Sequence, residues 1–172
     1  MVRSDLVLRA PKPSDFPALL RWRSDPEHQR LLMWRSGAES LADIEDWTAR
    51  RSGDPDGRFL IVARADVPIG FIQLTRIDRI DGHAHLGLML DPAERGRGAA
   101  QEALHAMEQQ CRVLGLRKIL LEVLEDNARA LRFWTAEGYR PVGVLQAHHL
   151  HRGTHHDVAI LEKILVQSVD HD

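Results

Sequence analysis

One stretch constrains the fold more than any other: residues 86–115, with the sequence LGLMLDPAERGRGAAQEALHAMEQQCRVLG. An apolar strand there leads through a glycine-rich turn directly into a helix, so the first backbone N–H groups of the helix lack intrahelical acceptors. Gly96 and Gly98 allow close approach of a ligand to the backbone, and Arg95 and Arg97 add positive charge. The pattern predicts a phosphate- or pyrophosphate-binding turn. The alternative is that the glycines only shape a tight connection between strand and helix.

Two familiar nucleotide-binding motifs are excluded at this turn. The P-loop pattern GxxxxGK[ST] is absent from residues 86–115. The dinucleotide-binding fingerprint requires a third glycine that the turn lacks. The predicted phosphate site therefore belongs to another class of protein.

Composition limits the classes that remain. A chain of 172 residues, 44% of them hydrophobic and 28% charged, suits one globular domain, which we assign to residues 1–172. A net charge of -2 gives no basic field for nucleic acid, and no apolar run reaches the ~18–20 residues that a membrane span needs. The N-terminal residues lack the apolar core of a secretory signal, and the lone Cys111 fits a reducing compartment. We expect a cytoplasmic enzyme.

Hydrophobic periodicity and turn residues predict the element order β-ααα-βββ-α-β-α-ββ, an α+β domain. The predicted strands are 7–9, 59–63, 68–75, 83–90, 119–124, 139–150 and 154–165. The predicted helix caps are Ser14, Ser40 and Asn127, and Asp25-Pro26 starts a further short helix. The long helix after the glycine-rich turn stops at Gly115, and the last helix stops at Gly138.

Two segments together resemble a known family. Arg95-x-x-Gly98-x-Ala100 resembles the [QR]-x-x-G-x-[GA] acetyl-CoA signature of the GNAT N-acetyltransferases. The segment NARALRFWTAEGY, residues 127–139, is similar to that family's second signature, N-x-x-A-x-x-[FL]-Y-x-x-x-G-F. The N-terminal LRAPKPSDFPALLRWRSDPEHQR and the closing GVLQAHHLHRGTHHDVAILEK resemble the branch that acetylates ribosomal proteins, polyamines and amino sugars.

The resemblance implies a fold and an acetyl-CoA site. The fold is a central, mostly antiparallel mixed sheet of about seven strands flanked by helices, in which strands 83–90 and 117–124 splay apart to admit acetyl-CoA. Backbone N–H groups of the turn would bind the pyrophosphate, and a backbone N–H near Leu88 would polarise the thioester carbonyl. The implied acetyl-CoA-binding residues are Leu88, Leu90, Arg95, Gly96, Arg97, Gly98, Ala99, Ala100, Asn127 and Trp134. Asn127 is also expected at the catalytic centre, where a plain helix cap is its alternative role.

Proton transfer must be assigned separately, because Trp134 stands where the family has a tyrosine acid. Indole has no useful acidity, and the chain's one tyrosine, Tyr139, occupies a packing position, so we expect no tyrosine acid. The family attacks the thioester directly, which agrees with a buried structural role for Cys111. His85 stands two residues before Gly87, where the branch that the chain resembles often has a glutamate directed at the acceptor cleft. Because the unperturbed pKa of an imidazole, ~6.5, suits proton removal near neutrality, we predict that His85 is the catalytic base. The alternative for His85 is a solvent-facing or hydrogen-bonded histidine.

The C-terminal strands carry a second histidine cluster, around a two-residue loop at Arg152-Gly153. That register puts His149, His151 and His156 on one face and pairs His148 with Asp157 on the other. We expect the first face to be solvated or to contact the acceptor. Because no carboxylate or cysteine shares this face, we predict no metal site.

Three functions follow. We favour acetyl-CoA-dependent transfer of acetyl to a primary amine of a small molecule, an amino sugar, a polyamine or a similar compound. The alternatives are acetylation of protein N-termini and a CoA-binding module that has lost catalysis, an option that Trp134 keeps open. The expected partner is a small amine, with no nucleic acid and no membrane; a homodimer is left open. Trp34 and Trp47 are either acceptor-pocket walls or core residues.

Overall fold

The computed structural model describes residues 5–34 and 40–165. Residues 1–4 and 166–172, which the predicted single domain also covers, lie outside the described residues. Within the described part, seven strands form one sheet: β1 Leu6–Arg9, β2 Arg58–Arg64, β3 Val67–Asp78, β4 His83–Leu90, β5 Lys118–Leu124, β6 Arg140–His151 and β7 Thr154–Ile164. The same residues form five α-helices: α1 Phe16–Ser24, α2 Pro26–Leu31, α3 Leu41–Ser52, α4 Ala99–Val113 and α5 Ala128–Ala136. The predicted element order is confirmed.

The sheet is mixed but mostly antiparallel, as predicted. Its strand order is β1-β2-β3-β4-β5-β7-β6, and the neighbours β4 and β5 run parallel while the other pairs run antiparallel. A parallel neighbour requires a crossover, and the long helix α4 supplies it between β4 and β5. The glycine-rich turn therefore lies at the C-terminal end of β4, beside the only parallel strand pair among the described residues.

The predicted separation of the two central strands is also confirmed. β4 and β5 pair at three positions, the last of which joins His85 to Leu120. Both strands then continue, β4 to Leu90 and β5 to Leu124, without pairing with each other. A gap therefore opens in the middle of the sheet immediately beyond His85.

Helices cover both faces of the sheet because β3 alternates two sets of apolar side chains. Ile72 and Leu74 join the buried cluster that includes Leu104 of α4. Phe71, on the opposite face, packs with Leu19 of α1 and Trp47 of α3. This two-sided core fixes β3 and β4 as a rigid frame beside the gap. No helix of the described residues has both the length and the apolarity to cross a membrane.

The predicted helix caps are confirmed with one exception. Ser40 and Asp43 form a reciprocal capping box, and the Asp25 carboxylate accepts the N–H of His28. Ser14 does not cap α1, because residues Pro13–Asp15 form a 3-10 turn ahead of it. The adjacent Asp15 carboxylate is buried and accepts hydrogen bonds from Arg9, at 2.7 and 2.8 Å. This buried ion pair organises the start of α1 instead of a serine cap.

Candidate active site

The gap between β4 and β5 opens into a cleft of about 630 Å³. That volume falls in the range of small-molecule sites, ~300–1,000 Å³. Its lining comes from four parts of the fold: strands β3 to β5, the glycine-rich turn with the start of α4, helix α5, and the end of α2 with the residues after it. The cleft thus runs from an exposed turn at one end to aromatic side chains at the other.

The glycine-rich turn is shaped by two left-handed glycines. Gly96 has φ 72° and Gly98 has φ 78°, values that side-chain-bearing residues rarely adopt. Gly98 is the N-cap of α4, which begins at Ala99, so the first amides of the helix face the cleft end of the turn without intrahelical acceptors. The Arg95 N–H differs from the others because it donates to Pro92 O at 3.3 Å. Of the backbone N–H groups predicted to bind pyrophosphate, that of Arg95 therefore already has an acceptor within the turn.

The two arginines of the turn are exposed. Arg97 lies 3.7 Å from the Glu94 carboxylate, which also contacts Arg64 at 3.4 Å. Pairing with Glu94 offsets part of the positive charge of Arg97. Backbone amides and the α4 dipole are therefore the stronger anion-attracting features of this turn.

The β4 backbone presents unpaired polar groups to the gap. The Asp91 N–H donates to Ile69 O of the neighbouring β3 segment at 2.8 Å, and the register between β3 and β4 is unbroken from Leu90 back to His85. Along a strand of an antiparallel pair, the backbone N–H and C=O groups of successive residues point alternately towards the partner strand and away from it. The N–H and C=O groups of Leu88 and Leu90 therefore point away from β3, into the gap.

His85 lines the cleft at the point where the strands separate. Its side chain is half-buried, and its Nδ1 lies 3.9 Å from Oε1 of Glu122. Desolvation lowers the pKa of His85 below its ordinary 6.5, with a further contribution from Arg76. The neutral imidazole, which can accept a proton, is therefore the main form at neutral pH.

Glu122 and Arg76 are cleft residues that sequence reasoning missed. Glu122 lies in β5, where the sequence KILLEVL offers one signal, a charged residue in the interior of an apolar strand. Arg76 has φ 51° at an irregularity between β3 and β4, and its Nη1 lies 3.8 Å from the Glu122 carboxylate. Neither residue is near His85 in sequence, so only the folded sheet brings the three together.

Asn127 and Trp134 both line the cleft from α5. Asn127 Oδ1 accepts the N–H of Ala130 at 3.2 Å, so its predicted role as a helix cap is confirmed. Trp134 is buried and contacts the edges of Phe133 and Tyr139, with ring centroids 4.9 and 5.1 Å apart. An indole at this position supplies an apolar wall and no proton donor of useful acidity.

Tyr139 and Cys111 lie outside the cleft lining, in the core between α4 and the sheet, where Cys111 is on the buried face of α4. The Tyr139 hydroxyl donates to Glu108 at 3.2 Å, and burial raises the pKa of Tyr139. Burial also raises the pKa of Cys111 to about 12. A buried, protonated thiol cannot form an acyl-enzyme at neutral pH, which agrees with direct transfer.

The two tryptophans predicted as either acceptor-pocket walls or core residues have different positions at the aromatic end of the cleft. Trp34 lines the cleft and stacks on Phe71, with ring centroids 6.0 Å apart. Trp47 lies behind it in the core, against Phe59 and Phe71. The Arg23 guanidinium lies between the two indoles, 4.7 and 4.3 Å from their centroids. Trp34 is thus a wall of the cleft, and Trp47 supports it.

The histidine hairpin has the predicted turn but only part of the predicted pairing. Arg152 and Gly153 both have positive φ, and His149 faces His156. The predicted pair of His148 with Asp157 is wrong, because a bulge shifts the register between Leu145 and His149. Asp157 instead accepts the N–H of Ala147 at 2.6 Å. None of the hairpin histidines at 148–156 lines the cleft formed by the described residues, so the cleft does not support contact with the acceptor, one of the two roles predicted for this face.

Comparison with known proteins agrees with this geometry. The family model for the acetyltransferase (GNAT) domain matches residues 5–140, and the chain belongs to that family. It is an N-acetyltransferase with acetyl-CoA as donor. Spermidine N(1)-acetyltransferase of Vibrio cholerae is 25% identical over 162 residues, 91% of each chain. The spermidine N(1)-acetyltransferase of Escherichia coli K12 is 25% identical over 108 residues, 62% of this chain and 58% of that protein.

Solved structures give the same fold. The Vibrio cholerae spermidine N-acetyltransferase in complex with CoA and spermine superimposes with a TM-score of 0.85 at 22% identity, covering 94% of this chain and 96% of that one. A mutant form of the same enzyme gives a TM-score of 0.81 at 23% identity, covering 96% of this chain and 97% of that one. At these identities the likeness establishes the fold, and the acceptor has to be argued from the cleft.

Proposed function

We propose that this protein transfers the acetyl group of acetyl-CoA directly to a primary amine of a small molecule held in the cleft. One observation carries the proposal: the same gap has backbone donors for the thioester substrate along β4 and a neutral, half-buried imidazole at its base. Acyl transfer to an amine requires both features, because the carbonyl must be polarised and the ammonium must lose a proton.

Donor binding is assigned to the backbone. The pyrophosphate is held by backbone N–H groups of the turn, those of Gly96, Arg97, Gly98, Ala99 and Ala100. The pantetheine arm is held by the N–H groups of Leu88 and Leu90. The Arg95 amide contributes least, because Pro92 O already accepts it. The Leu88 N–H polarises the thioester carbonyl, and the free Nδ2 edge of Asn127, whose Oδ1 caps α5, bonds the pantetheine. Trp134 packs against the arm of the donor.

Proton transfer is assigned to His85. In its neutral form it takes a proton from the acceptor ammonium, and the resulting amine attacks the carbonyl carbon. Sulfur leaves as the thiolate without a tyrosine acid, because Trp134 fills that position and Tyr139 is held by Glu108. No covalent enzyme intermediate is needed, which suits the buried Cys111.

The acceptor class that the relatives support is a polyamine, since spermidine acetyltransferases match most of the chain. Acetylation of an amino sugar or of a protein N-terminus would require the same proton transfer to His85. A module that only binds CoA would require no proton transfer. The acceptor end of the cleft is lined by Trp34, Phe71 and the end of α2, and its total volume of about 630 Å³ suits a small molecule.

A thiol-release assay tests the proposal. Acetyl-CoA is offered with spermidine, spermine, glucosamine, butylamine and a short peptide with a free N-terminus. The expected result is acceptor-dependent CoA release with at least one small amine and less with the peptide. CoA binding by calorimetry without turnover of any acceptor would contradict the proposed enzyme and favour the binding module.

A further inference from the structure

Glu122 lies at the base of the gap, on the same face of the sheet as His85. The last paired position of the two central strands joins His85 to Leu120, and Glu122 lies two residues further along β5, so its side chain returns to that face. Glu122 lines the cleft, and its side chain is 31% exposed. The strand geometry therefore places an acid and a base on either side of the point where the sheet opens.

The distance between these two side chains is informative. Nδ1 of His85 and Oε1 of Glu122 are 3.9 Å apart, too far for a hydrogen bond between them. A single nitrogen atom can nevertheless lie within about 2.9 Å of both atoms at once. When the imidazole proton is on Nε2, Nδ1 is an acceptor, and both atoms then accept hydrogen bonds from one donor.

A primary ammonium matches this pair of acceptors. It carries three N–H donors, of which two reach the two side chains. Its positive charge is complementary to the Glu122 carboxylate. The present neighbour of that carboxylate, Arg76, is 72% exposed and 3.8 Å away, and such exposed pairs contribute little, so an ammonium can displace it.

We propose that Glu122 is the acceptor-binding residue that holds the substrate ammonium against Nδ1 of His85. The inference rests on the proposed function and specifies its acceptor site. An N–H bond of the ammonium breaks, its proton moves to Nδ1, and the nitrogen lone pair is released. The C–N bond then forms as the C–S bond breaks, the sulfur leaves with the electron pair, and the surplus proton of the new amide nitrogen goes to the thiolate. The proton on His85 passes to water.

Steady-state kinetics of Glu122→Gln test this role, with Glu125→Gln as the matched control. Glu125 is an exposed acid just beyond β5 and is not part of the cleft lining. For Glu122→Gln the KM of the amine should rise about tenfold or more, because a charged hydrogen bond is lost, while the KM of acetyl-CoA stays within twofold. Glu122→Asp should recover part of the loss. Glu125→Gln should match the wild type in both constants.

The pH profile provides a readout that a purely structural role would not change. Of the groups that act on His85, Arg76 on β3 and His83 on β4 lower its pKa, and Glu122 on β5 raises it. Removing the Glu122 charge should therefore lower the pKa of His85 further. The acid limb of kcat/KM in Glu122→Gln should move to lower pH, and a limb that stays in place would contradict the proposed contact.

The outcomes separate this inference from the proposed function. If the wild type acetylates an amine but Glu122→Gln leaves the amine KM within twofold, or raises both KM values equally, the binding role is overturned. If no amine of the panel is acetylated, the proposed function fails. The ammonium site at Glu122 is then tested separately, by calorimetry of spermidine with the CoA-bound protein. Affinity at least tenfold weaker in Glu122→Gln supports the ammonium site; equal affinity, or no binding to the wild type, overturns it.

Discussion

The two ends of the cleft are built by different means. The turn at 95–100 presents backbone amides at the start of α4, around two glycines in left-handed conformations. The acceptor end presents side chains from separate elements: Arg76 from β3, His85 from β4, Glu122 from β5 and Trp34 after α2. One end depends on local chain conformation, and the other on the register of three strands.

This difference explains why the donor is evident from sequence and the acceptor is not. Amides at a glycine turn bind any suitably placed phosphate, so the same short motif serves every member of such a family. Side chains at the acceptor end can change without disturbing that turn. The donor site should therefore tolerate changes at the acceptor end, and the reverse should also hold.

The largest expected effect is that of Gly98→Asp on CoA affinity. A carboxylate placed against the pyrophosphate costs several kcal/mol, so affinity should fall on the order of 100-fold or more by calorimetry. Gly115→Asp, at the other end of α4, is the matched control, since Gly115 also has positive φ and open space around it. Equal affinity in wild type and a folded Gly98→Asp variant would remove the donor site from this turn.

His85→Ala tests the acceptor end with the next largest effect. Loss of a general base should lower kcat/KM about 100-fold near neutral pH, with recovery at high pH, where free amine is abundant. Because the pKa of His85 lies below 6.5, the wild-type acid limb should also fall below pH 6.5. His83→Ala is the control for the loss of kcat/KM near neutral pH, since His83 lies on the same face of β4 but outside the cleft lining. Its acid limb should move only slightly to higher pH, because His83 lowers the pKa of His85. An unaltered pH–rate profile in His85→Ala would exclude the base role.

Tyr139→Phe should affect stability and leave both ends of the cleft intact. The variant loses the hydrogen bond to Glu108, which Lys163 still contacts at 2.7 and 2.9 Å. Urea denaturation should show a loss of about 1 kcal/mol in unfolding free energy, with kcat within twofold of wild type. A tenfold fall in kcat at unchanged stability would identify Tyr139 as a proton donor after all.

The smallest effect is expected in the histidine hairpin. Replacing His149 and His156 with alanine should leave both KM values within about twofold, because neither residue lines the cleft. Dialysis against a chelator should leave activity intact. A severalfold change in the amine KM would restore the acceptor role expected from sequence, and bound metal lost together with activity would show a metal site.

Much of the fold could be predicted because local signals and the family motifs agreed. Asn127, Gly115 and the Arg152-Gly153 turn were correctly placed from residue type alone. The errors arose where tertiary contacts replaced local ones: the buried Arg9–Asp15 pair starts α1 in place of Ser14, and a bulge separates His148 from Asp157. Glu122 was missed because the parallel register that sets it beside His85 has no local sequence signal.

A crystal structure of the protein with bound CoA is the most direct test of the central claim, that one gap in the sheet joins a backbone donor site to a side-chain acceptor site. The expected result has pyrophosphate oxygens within about 2.7–3.2 Å of N–H groups between Gly96 and Ala100. The sulfur should lie between β4 and β5, on the side of Leu88, with His85 and Glu122 beyond it. A pyrophosphate bound away from the turn, or a sulfur outside the gap, would contradict the claim.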